Sequence, residues 1–277
     1  MKERIVAANV PFEVRRAADS PPLLLLHGFA GAPAAWDAVA EAIGERALLA
    51  APWLPGHDPL PGWFGGGSFE DAADAVARAL PEIRPGPWHL AGYSLGGRVA
   101  LAMVARHPAS FASVCLIGAS AGLRTEEERR ARRESDARWV EILRARGLHG
   151  FLETWEAQPL FAGQRALPPA LLDAQRSWRE GLDAEGLARS LEWLGLGEMP
   201  DLWPALAEVR VPVLLVAGAR DGKFASLAGA MAAEFPDAEA RLVAGAGHNV
   251  VLEAPEALAG MLLSMIGTGG AAREVDR

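Results

Sequence analysis

Ser94 is the residue of this sequence best placed to act as a nucleophile or a base. It lies in AGYSLGGR (residues 91–98), where WHLAGY gives way to SLGGRVALAMV. The first run reads as a strand and the second as a helix, so the serine falls on the joint between them. Gly92 and Gly96 suit a strained turn in which backbones approach too closely for side chains. Such a turn lifts the hydroxyl clear and sets the Leu95 N–H at a helix N-terminus, where it can stabilise an oxyanion. A serine needs a base, and the base needs an orienting acid. His248, in AGAGHNVVLE, follows one predicted strand; Asp221, in GARDGKF, follows the strand before it, 27 residues upstream. Strand ends on one edge of a parallel sheet converge, so Ser94, Asp221 and His248 can meet, in the chain order Ser, Asp, His. A second oxyanion donor is expected from the Phe29 N–H, in the loop after His27-Gly28.

The remaining candidates read as structural. His27 is expected to brace the oxyanion loop and His57 a turn in LPGHD, while His89, His107 and His149 read as ordinary core or surface residues. No pair of histidines has metal-ligand spacing. Gly65-Gly66-Gly67 follows no strand and precedes no Lys-Ser/Thr pair, so it reads as a flexible loop and not a phosphate cradle. Cys115, the one cysteine, lies in the apolar run ASVCLIGA and reads as a buried core residue with no intrachain disulfide to form.

Short strand-like runs alternate with helix-like ones, the pattern of a mostly parallel α/β sheet flanked by helices. Residues 4–16 read as a hairpin, and PLLLLHGFAG, RALLAAP, WHLAGY, ASVCLIGA, VPVLLVAG and ARLVAGAG as strands. Ser68 is placed to cap the helix FEDAADAVARAL. Residues 124–203 differ: long Arg- and Glu-rich helical stretches with no convincing strand. They are too long for a plain connection and read as a helical lid over the strand ends, on a core formed by 1–123 and 204–277. The tail GTGGAAREVDR reads as loose. Half of the 277 residues are hydrophobic (51%) and 22% are charged, as in a soluble globular protein. A net charge of −8 argues against nucleic-acid binding. No stretch is long and apolar enough for a membrane span or signal peptide, so a cytoplasmic protein is expected.

LLLLHGF, LPGH, GYSLGGR, the aspartate of GARD and GHNVVLEAP together resemble the α/β-hydrolase superfamily. AGLRTEEERRARRESD, FLETWEAQPLF, GLARSLEWLGLGEMPDLW and GARDGKF further resemble the 2-succinyl-6-hydroxy-2,4-cyclohexadiene-1-carboxylate synthases of menaquinone biosynthesis, over nearly all of residues 20–265. That resemblance implies a lyase that needs no cofactor. It removes a proton from a ring substrate and expels pyruvate without net hydrolysis, and His248 and Asp221 hold Ser94 as the proton acceptor. The Phe29 and Leu95 N–H groups would stabilise charge spreading onto a carboxylate. A small substrate with several carboxylates explains Arg98. Four residues after Ser94, it shares that residue's helix face and could grip a carboxylate bidentately. By motif, Arg129 and Arg179 are the lid arginines expected to reach the substrate, with Arg124 and Arg176 as close alternatives. Each could instead pair with glutamates one turn away on a solvated face. Tyr93 and Trp155 would supply apolar walls.

The sequence departs from the family at three places. Val251 stands where a second histidine is often found, Glu192 where arginine is common, and Glu156 where tyrosine is expected. The competing expectation is a serine hydrolase of a small ester or of a C–C bond. A ligand-binding scaffold on the same fold would carry a damaged triad, and this one is intact in sequence.

Overall fold

The computed structural model describes residues 2–58 and 67–271, with side chains described as far as Gly267. Gly65 and Gly66 of the glycine run, and the tail beyond Ala271, lie outside the described residues. Among the described residues eight strands form one sheet: β1 (Lys2–Ala7), β2 (Val10–Arg15), β3 (Pro22–Leu26), β4 (Leu48–Pro52), β5 (Trp88–Tyr93), β6 (Phe111–Ile117), β7 (Val213–Gly218) and β8 (Ala238–Val243). Their order is β1-β2-β4-β3-β5-β6-β7-β8. β2 runs antiparallel to both β1 and β4; the pairs from β4 onward are parallel.

The central strands are buried along their whole length and, His89 of β5 apart, largely apolar, because both sheet faces are covered. Successive side chains go to opposite sides, so Leu24 and Leu26 enter one core and Leu23 and Leu25 the other. The first core takes α2 (Phe69–Ile83), α3 (Leu95–Arg106) and α7 (Gly222–Ala232); the second takes α1 (Asp37–Ile43) and α9 (Pro255–Ala271). Ser68 does cap α2, its hydroxyl accepting the Asp71 N–H at 3.1 Å. The C-terminus corrects one expectation. Residues 267–271, read as loose, continue α9.

Between β6 and β7 the chain is helical: α4 (Glu126–Glu156, broken at Gly147, φ 64°), a 3-10 stretch Pro159–Ala166, α5 (Pro169–Arg179) and α6 (Ala184–Leu194). A reciprocal capping box starts α4, with Thr125 accepting the Glu128 N–H and Glu128 accepting the Thr125 N–H. Val140, Leu143, Phe151, Leu187 and Leu191 of these helices share a core with Ala30, Ala32 and Trp53. Those last three follow the C-terminal ends of β3 and β4, so the helical segment stands over the edge where open α/β sheets bind ligands. Among the described residues no helix is long and apolar enough to cross a membrane.

Candidate active site

Ser94, Asp221 and His248 follow the C-terminal ends of β5, β7 and β8, and the sheet brings them together. His248 Nδ1 lies 2.8 Å from Asp221 Oδ2, and its Nε2 lies 3.2 Å from Ser94 Oγ. An ionised carboxylate only accepts, so Nδ1 carries the ring proton and Nε2 is left to accept from the serine hydroxyl. Burial alone would raise the pKa of Asp221; hydrogen bonds from His248 and from the Phe224 N–H outweigh it and hold the acid below its usual value. A weak base on the acid side keeps the imidazole oriented without taking its proton.

Ser94 has φ 53° and ψ −108°, a strained conformation for a residue with a side chain. The strain persists because its surroundings leave no room for relaxation. A Cβ on Gly92 would collide with the Gly96 carbonyl, and one on Gly96 with the carbonyls of Leu26 and His27. The Ser94 N–H donates to the Ile117 carbonyl at 2.8 Å. Leu95 opens α3, so its N–H precedes the helical ladder, and the residue lines the same cavity as Ser94. Phe29 lines the same cavity in the loop after β3.

That loop is tied down by two buried histidines. The Ala30 N–H donates to His57 Nε2 (3.1 Å) while His57 Nδ1–H donates to the Pro55 carbonyl (3.1 Å). The Leu54 N–H donates to His27 Nε2 (3.1 Å) and His27 Nδ1–H to the Gly28 carbonyl (2.9 Å). Each ring is thus one neutral tautomer, acceptor at Nε2. Burial pushes His57 down to about 4 and His27 well below its ordinary value. His57 does more than brace its own turn: it holds Ala30, whose φ is 51°.

Ser94 and His248 open into a cavity of about 430 Å³ whose walls carry the cations Arg98, Arg132, Arg179 and Lys223 and the carboxylates Asp37 and Glu41. Arg98 donates from Nη1 to the Leu194 carbonyl at 3.0 Å. Burial, then the nearby Arg132, push its guanidinium down to about 9, and Asp136 opposes them. Arg132 pairs with Asp136 at 2.9 Å. Arg179 is buried; its Nε donates to the Ala30 carbonyl (3.2 Å) and its Nη1 to Glu156 (2.6 Å) and Gln175 (3.1 Å). Tyr93 lines the cavity with its phenol held protonated by burial, and Trp155 lines it within a cluster of Phe29, Trp139, Phe151 and Phe161.

Not every expected residue arrives. Arg129 is not among the lining residues; it faces Glu126 at 3.4 Å, and Arg132, one turn later, stands in its place. Arg124 lies over the Trp203 ring and Arg176 beside Asp173, both away from the cavity. Lys223, two residues after Asp221, is not singled out by motif spacing, although a cation beside the acid is a readable signal. Of the three departures, Glu192 is exposed and pairs with Arg144, whereas Val251 lines the cavity and Glu156 holds Arg179. A second Gly-x-Ser-x-Gly, residues 118–122, puts Ser120 on the cavity wall. No helix follows it directly, and His248 Nε2 bonds Ser94. Among the described residues no group of three or more His, Cys, Asp or Glu side chains is placed to hold a metal ion.

A serine on a strained strand-to-helix turn, with its acid and base on later strand ends, defines the α/β-hydrolase class, and the alpha/beta hydrolase fold model matches residues 21–255: the chain belongs to that family. Within it, the chain is similar to 2-succinyl-6-hydroxy-2,4-cyclohexadiene-1-carboxylate synthases. That of Enterobacter sp. (strain 638) is 34% identical over 89% of this chain and 92% of its own length. That of Salmonella agona (strain SL483) is 34% identical over 89% and 94%. The structure of MenH from S. aureus superposes with a TM-score of 0.88 at 27% identity, covering 94% of this chain and 98% of that one.

Proposed function

We propose that this chain is a 2-succinyl-6-hydroxy-2,4-cyclohexadiene-1-carboxylate synthase, eliminating pyruvate from an enolpyruvyl-bearing cyclohexene carboxylate. The observation that carries the reading is the pairing of a hydrogen-bonded Ser94–His248–Asp221 set with a cavity wall on which four cations outnumber two carboxylates, Asp37 and Glu41. A neutral ester needs no such wall; a substrate with several carboxylates does. Relatives bearing this synthase name over nearly their whole length support it.

Ser94 Oγ, its proton held by His248 Nε2, takes a proton from a ring carbon. The freed pair forms a ring double bond as the ether C–O bond breaks. Its electrons leave on the enolpyruvyl oxygen, which becomes pyruvate on protonation at carbon. The N–H groups of Phe29 and Leu95 meet the charge that builds on an adjoining oxygen. Arg98, Arg132 and Lys223 hold carboxylates, Tyr93 and Trp155 flank the ring, and Arg179, neutralised by Glu156, contributes less free charge. We read residues 124–203 as a lid on the core 1–123 and 204–277, since its helices close the cavity over the strand ends. A soluble substrate and a buried, unpaired Cys115 fit a cytoplasmic setting.

The test is to incubate the protein with the enolpyruvyl precursor and measure pyruvate. Pyruvate release equal to substrate loss, with no mass added to Ser94, is expected. An adduct on Ser94 with stoichiometric uptake of oxygen from labelled water would replace this reading with a serine hydrolase.

A further inference from the structure

Asp221 orients the His248 ring, but the ring can only be as well placed as the peptide that carries it. We propose that Glu253 is the positioning residue for that peptide, a proposal that rests on reading His248 as the base. Glu253 closes α8 (Val250–Glu253), and its carboxylate reaches back over the turn. Oε2 accepts the Gly247 N–H at 2.7 Å and Oε1 accepts the Asn249 N–H at 3.2 Å. The N–H groups of the two residues that flank His248 are therefore held by one side chain. From the other side, the Arg220 N–H donates to the Ala246 carbonyl at 2.9 Å, tying the same loop to the strand end that carries Asp221.

The chemistry of the group matters. An ionised carboxylate offers two acceptor oxygens, and each here meets one N–H in a charge-assisted bond. Glutamine fills the same space but offers one acceptor; its NH₂ would oppose the second N–H. Loss of one anchor lets the turn rotate about the other, and His248 Nε2 moves off Ser94 Oγ.

The lid touches this clamp. A Cβ on Gly163, in the 3-10 stretch, would lie 2.5 Å from Glu253 Oε2, so only glycine leaves the carboxylate where it is. Phe161, two residues earlier, already packs its ring toward His248. Gly163→Ala disturbs the clamp from outside the His248 loop, and the atom it meets is the end of a flexible side chain, so the fold can tolerate it.

The experiment compares Glu253→Gln and Gly163→Ala with the wild-type chain in four readouts. These are kcat and KM for pyruvate elimination, the rate of Ser94 phosphonylation by a small neutral fluorophosphonate, amide exchange at Gly247 and Asn249, and the melting temperature. For Glu253→Gln, kcat and phosphonylation should fall together by about 10- to 100-fold, as a small misplacement of a base does. KM should stay within about twofold, because no substrate contact is removed. Exchange at the two amides should quicken. Gly163→Ala should lower kcat and phosphonylation and quicken exchange in the same way, by less, with KM again within about twofold. Wild-type phosphonylation and exchange in Glu253→Gln would overturn the proposal. So would losses that follow the melting temperature and vanish on cooling, since those mark a fold defect only. A wild-type Ser94 that resists the probe would overturn it together with the base assignment. Failure to release pyruvate, with the probe and exchange results as expected, would count against the proposed function alone.

Discussion

The corner that holds Ser94, Asp221 and His248 and the wall that holds the arginines are built on different rules. In the corner each side chain hangs from a turn at a strand end, and neighbouring backbone leaves it one place to go. Ser94 is pinned by the close approach of Gly92, Gly96 and the Leu26 carbonyl. On the wall the cations hang from helices by long flexible stems, and their ends are set by partners: Leu194 for Arg98, Asp136 for Arg132, Glu156 for Arg179. Backbone placement gives the corner a geometry that survives changes elsewhere. Partner placement lets the wall be retuned one residue at a time, which is what Glu156 and Val251 represent.

The largest test of that contrast falls on the corner. Ser94→Ala or His248→Ala should lower kcat by about 10³-fold or more with the fold retained, because members of such a set act as a unit. Steady-state kinetics on the folded variants decides it. Ser94→Ala with most of its activity would show that another group takes the proton.

A second test probes how firmly the corner is braced. His57 is neutral in the folded chain down to about 4, whereas an unfolded chain binds that proton near 6.5. As pH falls from about 6.5, the unfolded state takes up a proton that the folded state refuses, so stability falls until about pH 4 and then levels off. The gap corresponds to on the order of 3 kcal/mol. His57→Gln keeps an acceptor for the Ala30 N–H but cannot ionise, so its denaturation free energy should vary less with pH over this window. Part of the slope should remain, because His27 is shifted the same way. Equal slopes in the two proteins would mean that His57 is not the neutral acceptor holding the Ala30 N–H in the loop after β3.

Arg98 tests the wall. Truncation leaves a substrate carboxylate without a charge-assisted partner, worth roughly 1.5–3 kcal/mol, or about 10- to 150-fold in kcat/KM. Arg98→Lys should recover part of this, since an ammonium lacks the planar fork. Hydrolysis of a small activated neutral ester should change far less in the same variants. Because Arg98 also bonds the Leu194 carbonyl, a general loss of folding would depress both activities together, and the paired assay separates the two effects. Equal losses on both substrates would remove the carboxylate-reading role.

How much of this is legible in the sequence follows the same division. Strand-end residues can be placed because a strand, a turn and a helix in succession leave little freedom, and chain order does the rest. The pattern alone is ambiguous, since Gly-x-Ser-x-Gly occurs at residues 92–96 and again at 118–122. What separates them is a following helix, present after Ser94 and absent just after Ser120, and that is readable from SLGGRVALAMV. The helical segment between β6 and β7 is legible as helical. Which of its arginines turn inward is not, because in EEERRARRESD several phases place some arginine on the buried face. Contacts with no short-range pattern, such as Glu253 reaching back to Gly247 or His57 reaching Ala30, are out of reach.

The smallest effect gives the sharpest comparison, between Arg129 and Arg132. Residues three apart lie on nearly the same helix face, one turn apart along the axis. Choosing the wrong one keeps the face and misses by a turn. Arg132 lines the cavity beside Arg98 with its charge shared with Asp136, while Arg129 faces Glu126 outside it. Arg132→Ala should raise KM for the multi-carboxylate substrate by about 5- to 10-fold. That is less than Arg98 because Asp136 already takes part of its charge, and a shared ion pair leaves roughly 1 kcal/mol for a ligand. Arg129→Ala should leave KM within about twofold, because Arg129 lies outside the cavity and faces a Glu126 that is largely exposed. Melting curves guard the comparison. Asp136 is buried, and removing its partner strands a carboxylate whose pKa burial already raises, so Arg132→Ala should also cost stability. The double variant Arg132→Ala with Asp136→Asn relieves that cost without restoring the cation. If it regains stability but keeps the raised KM, Arg132 reads the substrate. If KM recovers with stability, Arg132 only holds the helix, and the wall rests on Arg98 and Lys223.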